Sequence, residues 1–504
     1  MDELDIFSEI RSKQATPTTS RADELTARLV QTTGTSDWRE LVERGDTPEL
    51  QKFLRREFPR EATLYDTTLQ RRAFLKLAGA ALAMAGLAAC APPQGEKIVP
   101  YVNQPERLLP GRPLFYTTAM TLGGYATGLL VRSDMGRPIK VEGNPNHPAS
   151  LGATDIFAQA SILSLYDPDR SRSVLQNGQA SSWNEFVTAL GNALNAARGN
   201  GGAGLRVLTQ TISSPTLAAQ LQTLLSQFPN ARWHQYEPFN RDNARAGAQL
   251  AFGQYVETRY DLTRADVILS LDSDFLNGTN GGLRYARDFT ARRKVNGVNA
   301  TLNRLYAIES APTLTGAQAD HRRAVRASQI AGIAQAIAAA VGVAGATATQ
   351  PASVPVNWLN ALVRDLQVHR GSSVVIAGDE QPPYVHALAH AMNEVLGNVG
   401  ATVIYTDPVE SNPTDQLTSL RDLVNDMDTG RVQSLLILEG NPVYDAPADF
   451  QFGARLKAVG FSAHLSLYED ETSAACTWHI PATHYLEMWG DARAFDGTVS
   501  IVQP

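Results

Sequence analysis

The chain has 504 residues, which is too long for one hydrophobic core and predicts about two to four compact domains. Hydrophobic residues make up 43% and charged residues 19%, an ordinary globular composition that excludes wholesale disorder and a polytopic membrane protein. Lys and Arg total 44 against 51 Asp and Glu, without a long basic run, so no nucleic-acid partner is expected.

The cysteine count limits the cofactors that this chain can bind. Cys90 and Cys476 are its only cysteines. An iron–sulfur cluster needs about four thiolates, and covalent attachment of haem needs a Cys-x-x-Cys-His run. We therefore expect no iron–sulfur cluster, no Cys-rich zinc site and no disulfide framework in this chain.

Residues 71–90 have the three-part pattern of an export signal, with a charged start, an apolar middle and small residues at the exit. The end of this segment resembles a lipobox, in which the sulfur of Cys90 takes a diacylglycerol. Both patterns predict a lipid-anchored protein at the outer, periplasmic face of the bacterial cytoplasmic membrane. The charged start resembles a twin-arginine signal and consists of Arg71, Arg72, Phe74, Leu75 and Lys76.

An apolar run of this length is also found in buried helices. A buried helix at 75–91 is the weaker interpretation, because no polar face follows the helical period and two prolines end the run abruptly at 92–93. About seventy residues precede the signal, where ordinary signal peptides have a short charged start. The pattern therefore does not decide whether the chain is cleaved before Cys90.

Shifts in composition predict six segments along the chain. The tether carries many prolines and few periodic apolar positions, and an Ala-, Gly- and Pro-containing stretch at 341–355 separates two α/β domains. The six segments are a polar N-terminal arm with short helices at 1–70, the export segment at 71–90, the tether at 91–113, a small β-rich subdomain at 114–181, an α/β domain at 182–345 and a second, truncated α/β domain at 356–504.

Strand and helix patterns alternate after residue 182, which is typical of doubly wound parallel sheets with helices on both faces. Short apolar runs at 129–131 and 139–141, separated by turn residues, predict further strands in the β-rich subdomain. The elements predicted after residue 182 are strands at 205–209, 233–236, 267–271, 373–377, 402–406 and 435–438 and helices at 216–227 and 386–396.

Three motifs follow one another in a specific order. They are a Gly-Asn-Pro turn at 143–145, a Tyr-Asp-Pro-Asp-Arg segment at 166–170 and a second Gly-Asn-Pro turn at 440–442. Gly and Asn tolerate positive φ and Pro has a fixed φ, so each Gly-Asn-Pro sequence stiffens a turn. The order resembles the molybdopterin oxidoreductases, whose fold it implies. In that family the loop at 440–442 lies where the pterin nucleotide is approached.

A closer resemblance is to the B-subunit family of alternative complex III. It implies a noncatalytic structural subunit of a membrane-bound, quinol-oxidising electron-transfer complex. The implied partners are a membrane quinol-oxidising subunit, a ferredoxin-like iron–sulfur domain and cytochrome c subunits with haem c. We expect the iron–sulfur clusters in a C-terminal half that continues past Pro504. The resemblance rests on the export segment and on motifs at 96–102, 113–116, 123–128 and 489–493.

Active molybdopterin oxidoreductases often place a cluster-binding cysteine motif before the first Gly-Asn-Pro turn, whereas residues 91–150 contain no cysteine. Asp155 is the nearest carboxylate that could replace a molybdenum ligand, but Thr154-Asp155 is better explained as a helix start. We therefore expect no catalytic, cofactor-binding or metal-binding residue in this chain. The alternative is an active molybdopterin-dependent oxidoreductase subunit that binds its cofactor without cysteine.

Two groups of residues are candidate metal ligands, a pair of histidines and a group of one cysteine and two histidines. His386 and His390 lie four residues apart on a predicted helix, but the His-Glu-x-x-His pattern is absent. Cys476, His479 and His484 include a Cys-x-x-His spacing without an obvious fourth ligand. A metal site at His386 and His390 is therefore disfavoured. For Cys476, His479 and His484, packing and hydrogen bonding are the favoured roles.

Carboxylates also stand near predicted strand ends, where open α/β sheets bind ligands. They could line a vestigial pocket without catalysis. These carboxylates are Asp407, Glu439, Glu469, Asp470 and Glu471.

Overall fold

The computed structural model describes residues 108–109, 111–278, 280–295, 302–347, 351 and 353–504. The predicted arm, the export segment with Arg71, Arg72 and Cys90, and most of the tether lie outside these residues. Within the described ranges, no helix is both long and apolar enough to cross a lipid bilayer.

An antiparallel meander begins the described chain. β1 (Leu114–Leu122), β2 (Tyr125–Asp134) and β3 (Arg137–Gly143) pair in chain order. A tight turn joins the first two strands, and Gly124 adopts a φ of +79° there, which favours glycine. The helix α1 (Ile156–Leu165) packs on β3. The apolar runs that predicted strands in this region lie within β2 and β3.

The remaining strands are short and are mostly separated by helices. In chain order they are β4 (Leu175–Gln176), β5 (Gln179–Ala180), β6 (Leu205–Thr209), β7 (Arg232–Gln235), β8 (Glu257–Tyr260), β9 (Val267–Leu271), β10 (Arg304–Glu309), β11 (His321–Ala324), β12 (Ser373–Ala377), β13 (Val403–Thr406), β14 (Ser434–Leu438), β15 (Phe461–Ser466), β16 (Trp478–Pro481), β17 (Gly490–Arg493) and β18 (Val499–Val502).

The remaining helices range from one turn to about four turns. They are α2 (Trp183–Arg198), α3 (Pro215–Gln227), α4 (Asp242–Phe252), α5 (Gly282–Ala291), α6 (Leu314–Ala317), α7 (Ala327–Val341), α8 (Val356–Val368), α9 (Pro383–Val395), α10 (Gln416–Asp428), α11 (Pro442–Asp445), α12 (Phe452–Leu456) and α13 (Glu471–Ala475), with a 3-10 turn at Ala448–Phe450.

Side-chain caps begin several of these helices. The Asp155 carboxylate accepts a hydrogen bond from the Ala158 backbone N–H at 2.7 Å, which confirms the predicted helix start. At α2, Ser182 and Glu185 form a capping box, in which each side chain accepts from the other residue's backbone N–H.

Two larger sheets organise the chain after α1. One has seven strands in the order β5-β4-β16-β15-β14-β6-β7, with β16 through β7 parallel. The other has four parallel strands in the order β11-β10-β9-β12. The strands predicted at 205–209, 267–271 and 373–377 are confirmed with the same bounds as β6, β9 and β12.

Both sheets take strands from either side of the stretch at 341–355. β14 pairs with β6, and β12 pairs with β9. Parallel neighbours need a long crossover connection, so the chain can leave one sheet, form part of the other and return. The two segments predicted at 182–345 and 356–504 therefore share both sheets.

Helices cover both faces of the four-stranded sheet, as predicted for a doubly wound fold. Leu269 and Leu271 of β9 pack against α7, α8 and α9 on one face. Ile268, between them in sequence, packs with Phe289 of α5 on the opposite face. Alternate side chains of one strand thus enter two different cores.

Two antiparallel pairs complete the fold. β8 pairs with β13, beside α4 and α9. The hairpin of β17 and β18 lies against β1, where the Gln503 backbone N–H donates to the Thr118 hydroxyl at 3.1 Å. These pairs place the ends of several strands near one another.

Candidate functional site

The loop after β14 contains the second Gly-Asn-Pro turn and is fastened to α13. Glu439 and Gly440 have positive φ values of 60° and 70°, a costly conformation for the glutamate. The Asn441 side-chain oxygen accepts from the Thr472 N–H at 3.2 Å and from its hydroxyl at 2.7 Å, and the amide donates to the Glu471 carboxylate at 2.7 Å. The loop is therefore held by the protein's own side chains.

A chain of buried hydrogen bonds runs from this loop toward the Tyr-Asp-Pro-Asp-Arg segment. His464 Nε2 faces the Gly440 carbonyl at 2.9 Å, so it carries a proton. His464 Nδ1 lies 2.9 Å from the Ser473 hydroxyl and 3.3 Å from the Asp470 carboxylate. The Ser473 hydroxyl also lies 2.8 Å from His479 Nδ1, and His479 Nε2 lies 2.5 Å from the Ser171 hydroxyl. These contacts connect the loop at 440–442 to the segment that follows the Tyr-Asp-Pro-Asp-Arg motif.

Arg241 and Glu257 form a buried ion pair between α4 and β8. The Glu257 side chain is fully buried, and the Arg241 guanidinium donates directly to its carboxylate. Arg241 also donates to the Tyr125 hydroxyl at 2.9 Å and faces Asp379 at 3.3 Å. The Tyr255 hydroxyl donates to the same Glu257 carboxylate at 2.9 Å. The charge of Glu257 is thus fully compensated by protein groups.

A second buried pair lies one helical turn further along α4. The Arg245 guanidinium donates to the Glu410 carboxylate and to Asp242, the latter at 2.8 Å. The Gln235 amide donates to the other Glu410 oxygen at 3.3 Å. This arrangement ties the ends of β7 and α4 to the segment after β13.

Glu237, just after β7, is also buried at this place. Burial raises its pKa to about 7, although the Thr211 hydroxyl donates to its carboxylate at 2.5 Å. The Gln416 side chain accepts from the Glu237 backbone N–H at 2.7 Å and donates to Thr211 at 2.9 Å. A Cβ on Gly124 would lie 2.4 Å from the Thr211 methyl carbon, so only glycine lets the β1–β2 turn close over these residues.

These polar residues meet where β7 and β13 end and where β2 and β8 begin, and we call them the strand-end network. A cavity of about 30 Å³ lies beside it, lined by Arg241, Asp379, His386 and His390 among others. That volume holds only one or two water molecules. The strand-end network comprises Tyr125, Glu237, Arg241, Arg245, Tyr255, Glu257 and Glu410.

His386 and His390 lie on α9 and line the same small cavity, as their spacing predicted for one helical face. His390 Nδ1 lies 3.0 Å from the Tyr405 hydroxyl. Burial lowers the pKa of each imidazole to about 4. In the part of the chain that the structure describes, no group of three or more His, Cys, Asp or Glu residues could hold a metal ion.

Cys476, His479 and His484 serve packing and hydrogen bonding, as favoured from the sequence. Cys476 is buried in the apolar core beside α10, whereas His479 belongs to the hydrogen-bonded chain described above. His484 Nε2 lies 3.1 Å from the Ser164 hydroxyl. The three side chains therefore have separate partners.

The other predicted strand-end residues have local roles. Asp470 caps α13 by accepting from the Ser473 backbone N–H at 2.8 Å, and Glu469 before it is exposed. Asp407 is exposed directly after β13. In the first Gly-Asn-Pro turn, Asn144 accepts from the Asn146 N–H at 3.0 Å. The structure does not bring these residues together with the strand-end network.

Sequence reasoning missed the strand-end network itself. Its members come from separate elements, and Tyr125 and Glu257 lie 132 positions apart. One signal was present, because Arg241 and Arg245 are four residues apart at the start of a helix that is rich in small residues. That spacing places both guanidinium groups on one helical face.

The fold resembles that of a solved enzyme structure. Acetylene hydratase from Pelobacter acetylenicus matches with a TM-score of 0.54 and 13% identity, over 75% of this chain and 65% of that chain. The chain therefore has an α/β fold of the molybdopterin-oxidoreductase type, which confirms the predicted fold class.

A curated relative is the menaquinone reductase, molybdopterin-binding-like subunit, of Nitratidesulfovibrio vulgaris (strain Hildenborough). It is 25% identical over 471 residues, which cover 84% of this chain and 66% of the relative. The chain thus spans just under two thirds of the length of acetylene hydratase and of the menaquinone reductase subunit. No family model matches the chain.

Proposed function

We propose that this chain is a noncatalytic structural subunit of a membrane-bound, quinone-linked electron-transfer complex. The name of the curated relative supports a subunit of this kind, since it denotes a molybdopterin-binding-like subunit of a menaquinone reductase. The motifs at 96–102, 123–128 and 489–493 support the finer assignment to the B-subunit family of alternative complex III.

The strand-end network is the observation that carries the noncatalytic assignment. A pterin nucleotide brings an anionic phosphate group, which needs unpaired donors near the strand ends. Glu237, Glu257 and Glu410 instead place three buried carboxyl groups there. The guanidinium groups of Arg241 and Arg245 are already paired with carboxylates. The residues present therefore do not fit this cofactor.

The small volume of the cavity beside the strand-end network also supports the noncatalytic assignment. The cavity beside the strand-end network measures about 30 Å³. Ligand pockets for organic molecules usually measure about 300–1,000 Å³. A pterin would have to displace side chains that are held by ion pairs, at the cost of leaving charges buried without partners.

The location and partners belong to the same proposal. Cys90 would carry the lipid anchor, and the chain would lie at the periplasmic face of the membrane. Its partners would be a membrane quinol-oxidising subunit, a ferredoxin-like iron–sulfur domain and cytochrome c subunits. Electrons would then pass through cofactors of these partners, with this chain as the scaffold.

Metal analysis of the complex purified from membranes tests the noncatalytic assignment. We expect far less than one molybdenum or tungsten atom per chain by mass spectrometry, and iron from the partners serves as the internal control. About one molybdenum or tungsten atom per chain would instead support the alternative, an active molybdopterin-dependent oxidoreductase subunit.

A further inference from the structure

The helix α1 is largely apolar on both of its faces, and Gln159 is the polar residue on its exposed side. The helix contains no charged residue. Its inner face packs Ala158, Ile162 and Leu165 into a small core with Leu129 and Val141 of the meander. An ordinary surface helix would turn polar side chains outward.

The outer face of α1 instead carries large apolar side chains. Ile156, Phe157 and Leu163 are 75%, 62% and 72% exposed. Tyr166, directly after the helix, is also exposed, and its hydroxyl donates to the Pro138 carbonyl at 2.7 Å. This bond places the Tyr166 ring beside β3, where Ile139 is exposed.

Helices that are apolar all round are usually buried in a core or a membrane. The exposed residues of α1 and β3 form one contiguous surface, since Tyr166 connects them, and large exposed apolar patches mark interaction sites. We call this surface the α1 face, and it consists of Ile139, Ile156, Phe157, Ala160, Leu163 and Tyr166.

The chemistry and position of the α1 face favour a lipid surface as its occupant. Seventeen residues lie between Cys90 and Leu108, and such a chain spans at most ~60 Å, so Leu108 is within that reach of a lipid on Cys90. Apolar side chains flanked by a tyrosine with a polar tip suit the headgroup boundary.

We propose that the α1 face inserts into the headgroup boundary of the bilayer and acts as a second anchoring signal beside the lipid on Cys90. This proposal rests on the proposed membrane location but not on the noncatalytic assignment. One lipid chain alone gives marginal membrane binding, whereas two signals give stable anchoring. The α1 face would also orient the chain toward its membrane partner.

A fluorescent probe at position 160 tests this contact directly. Ala160 lies on the exposed side of α1, so Ala160→Cys in the full chain with Cys90→Ala offers one reactive thiol. Cys476 is buried, and burial raises the pKa of its thiol to about 12, which keeps it unreactive near neutral pH. The matched control is Val368→Cys, at an exposed position of α8.

Both labelled chains are mixed with vesicles of phosphatidylcholine and phosphatidylglycerol that contain spin-labelled lipid. We expect the probe at 160 to be quenched by at least about twofold and the probe at 368 to stay unquenched, because only the first enters the bilayer. Adding Ile156→Gln and Leu163→Gln should reduce the quenching at 160. A circular dichroism spectrum like that of the parent chain shows that this variant folds.

Two results overturn the proposal. One is a chain that does not bind the vesicles, and the other is a vesicle-bound chain whose probe at 160 is no more quenched than the probe at 368. If position 160 is shielded only in the assembled complex, a protein partner covers the α1 face instead. Molybdenum in the purified complex would refute the noncatalytic assignment without affecting this quenching result.

Discussion

Arg241 and Glu257 show what a single buried charge requires in this protein. Replacing Arg241 with Leu leaves the fully buried Glu257 carboxylate without its partner. We expect the free energy of unfolding to fall by about 3–5 kcal/mol, because an uncompensated buried charge is strongly destabilising. Urea denaturation followed by circular dichroism measures the change.

Arg431→Leu is the matched control for Arg241→Leu. The Arg431 side chain is 56% exposed. When it is removed, its partner Asp426 still has an ion pair with the buried Arg206, at a distance of 2.7 Å. The expected loss is about 0.2–1 kcal/mol, as for other exposed ion pairs. Equal losses in the two variants would contradict the assigned role of the strand-end network.

Three buried histidines should make the stability depend on pH. Burial lowers the pKa of His234, His386 and His390 to about 4. An unfolded histidine titrates near pH ~6.5, so below that pH the unfolded state binds more protons. The free energy of unfolding therefore falls as the pH falls from about 6.5 toward about 4. His386→Gln should make this fall shallower in urea denaturation.

The buried Glu237 and the half-buried Asp445 change the free energy of unfolding with the opposite sign as the pH falls. Burial raises the pKa of Glu237 to about 7 and that of Asp445 to about 6, so the folded state gains protons first as the pH falls. The slope of the free energy of unfolding against pH must therefore be compared between the parent and the His386→Gln variant over the same pH range. His321→Gln, on the exposed strand β11, is the control. A slope unchanged by His386→Gln would disprove the histidine contribution.

At the scale of elements, the two Gly-Asn-Pro turns are natural controls for each other. Asn441 connects its loop to α13, whereas the Asn144 side-chain oxygen accepts from the Asn146 N–H within its own turn. Asn441→Ala should speed amide exchange at 439–445 by at least about tenfold, since it removes hydrogen bonds worth about 0.5–1.5 kcal/mol each. Hydrogen-exchange mass spectrometry measures both variants, and Asn144→Ala should have the smaller effect on its loop.

The elements that matched their prediction share a simple sequence pattern. β6, β9 and β12 are short, mostly apolar runs in which nearly every side chain is buried, including Arg206 of β6, so both ends could be placed from the sequence. β10 and β11 were missed, because Arg304–Glu309 mixes charged and apolar residues and His321–Ala324 is mostly polar. Their strand conformation depends on pairing with β9 and with each other.

At the scale of the whole molecule, the export signal gives a test in cells. Changing Arg71 and Arg72 to Lys should leave the protein in the cytoplasm, since the twin-arginine route reads that pair. Cell fractionation with an antibody against the chain measures the result. The matched control changes a different arginine pair upstream of the signal, Arg55 and Arg56, to Lys. Normal export of the Arg71 and Arg72 variant would refute the assignment.

The sequence alone determined the local features of this protein. Apolar runs, capping residues such as Asp155 and the Gly-Asn-Pro turns depend on neighbours a few positions away, so their patterns are visible without a structure. The order of the motifs also predicted the fold type that the solved enzyme structure confirms.

Only the tertiary structure decided how distant segments meet. β14 pairs with β6 across more than two hundred residues, and Arg245 finds Glu410 at a separation of 165 positions. No local pattern encodes such a pairing, because long crossover connections leave several strand orders open and a buried charge selects its partner only after the chain has folded. The strand-end network, on which the proposed function rests, is therefore a product of the assembled sheets.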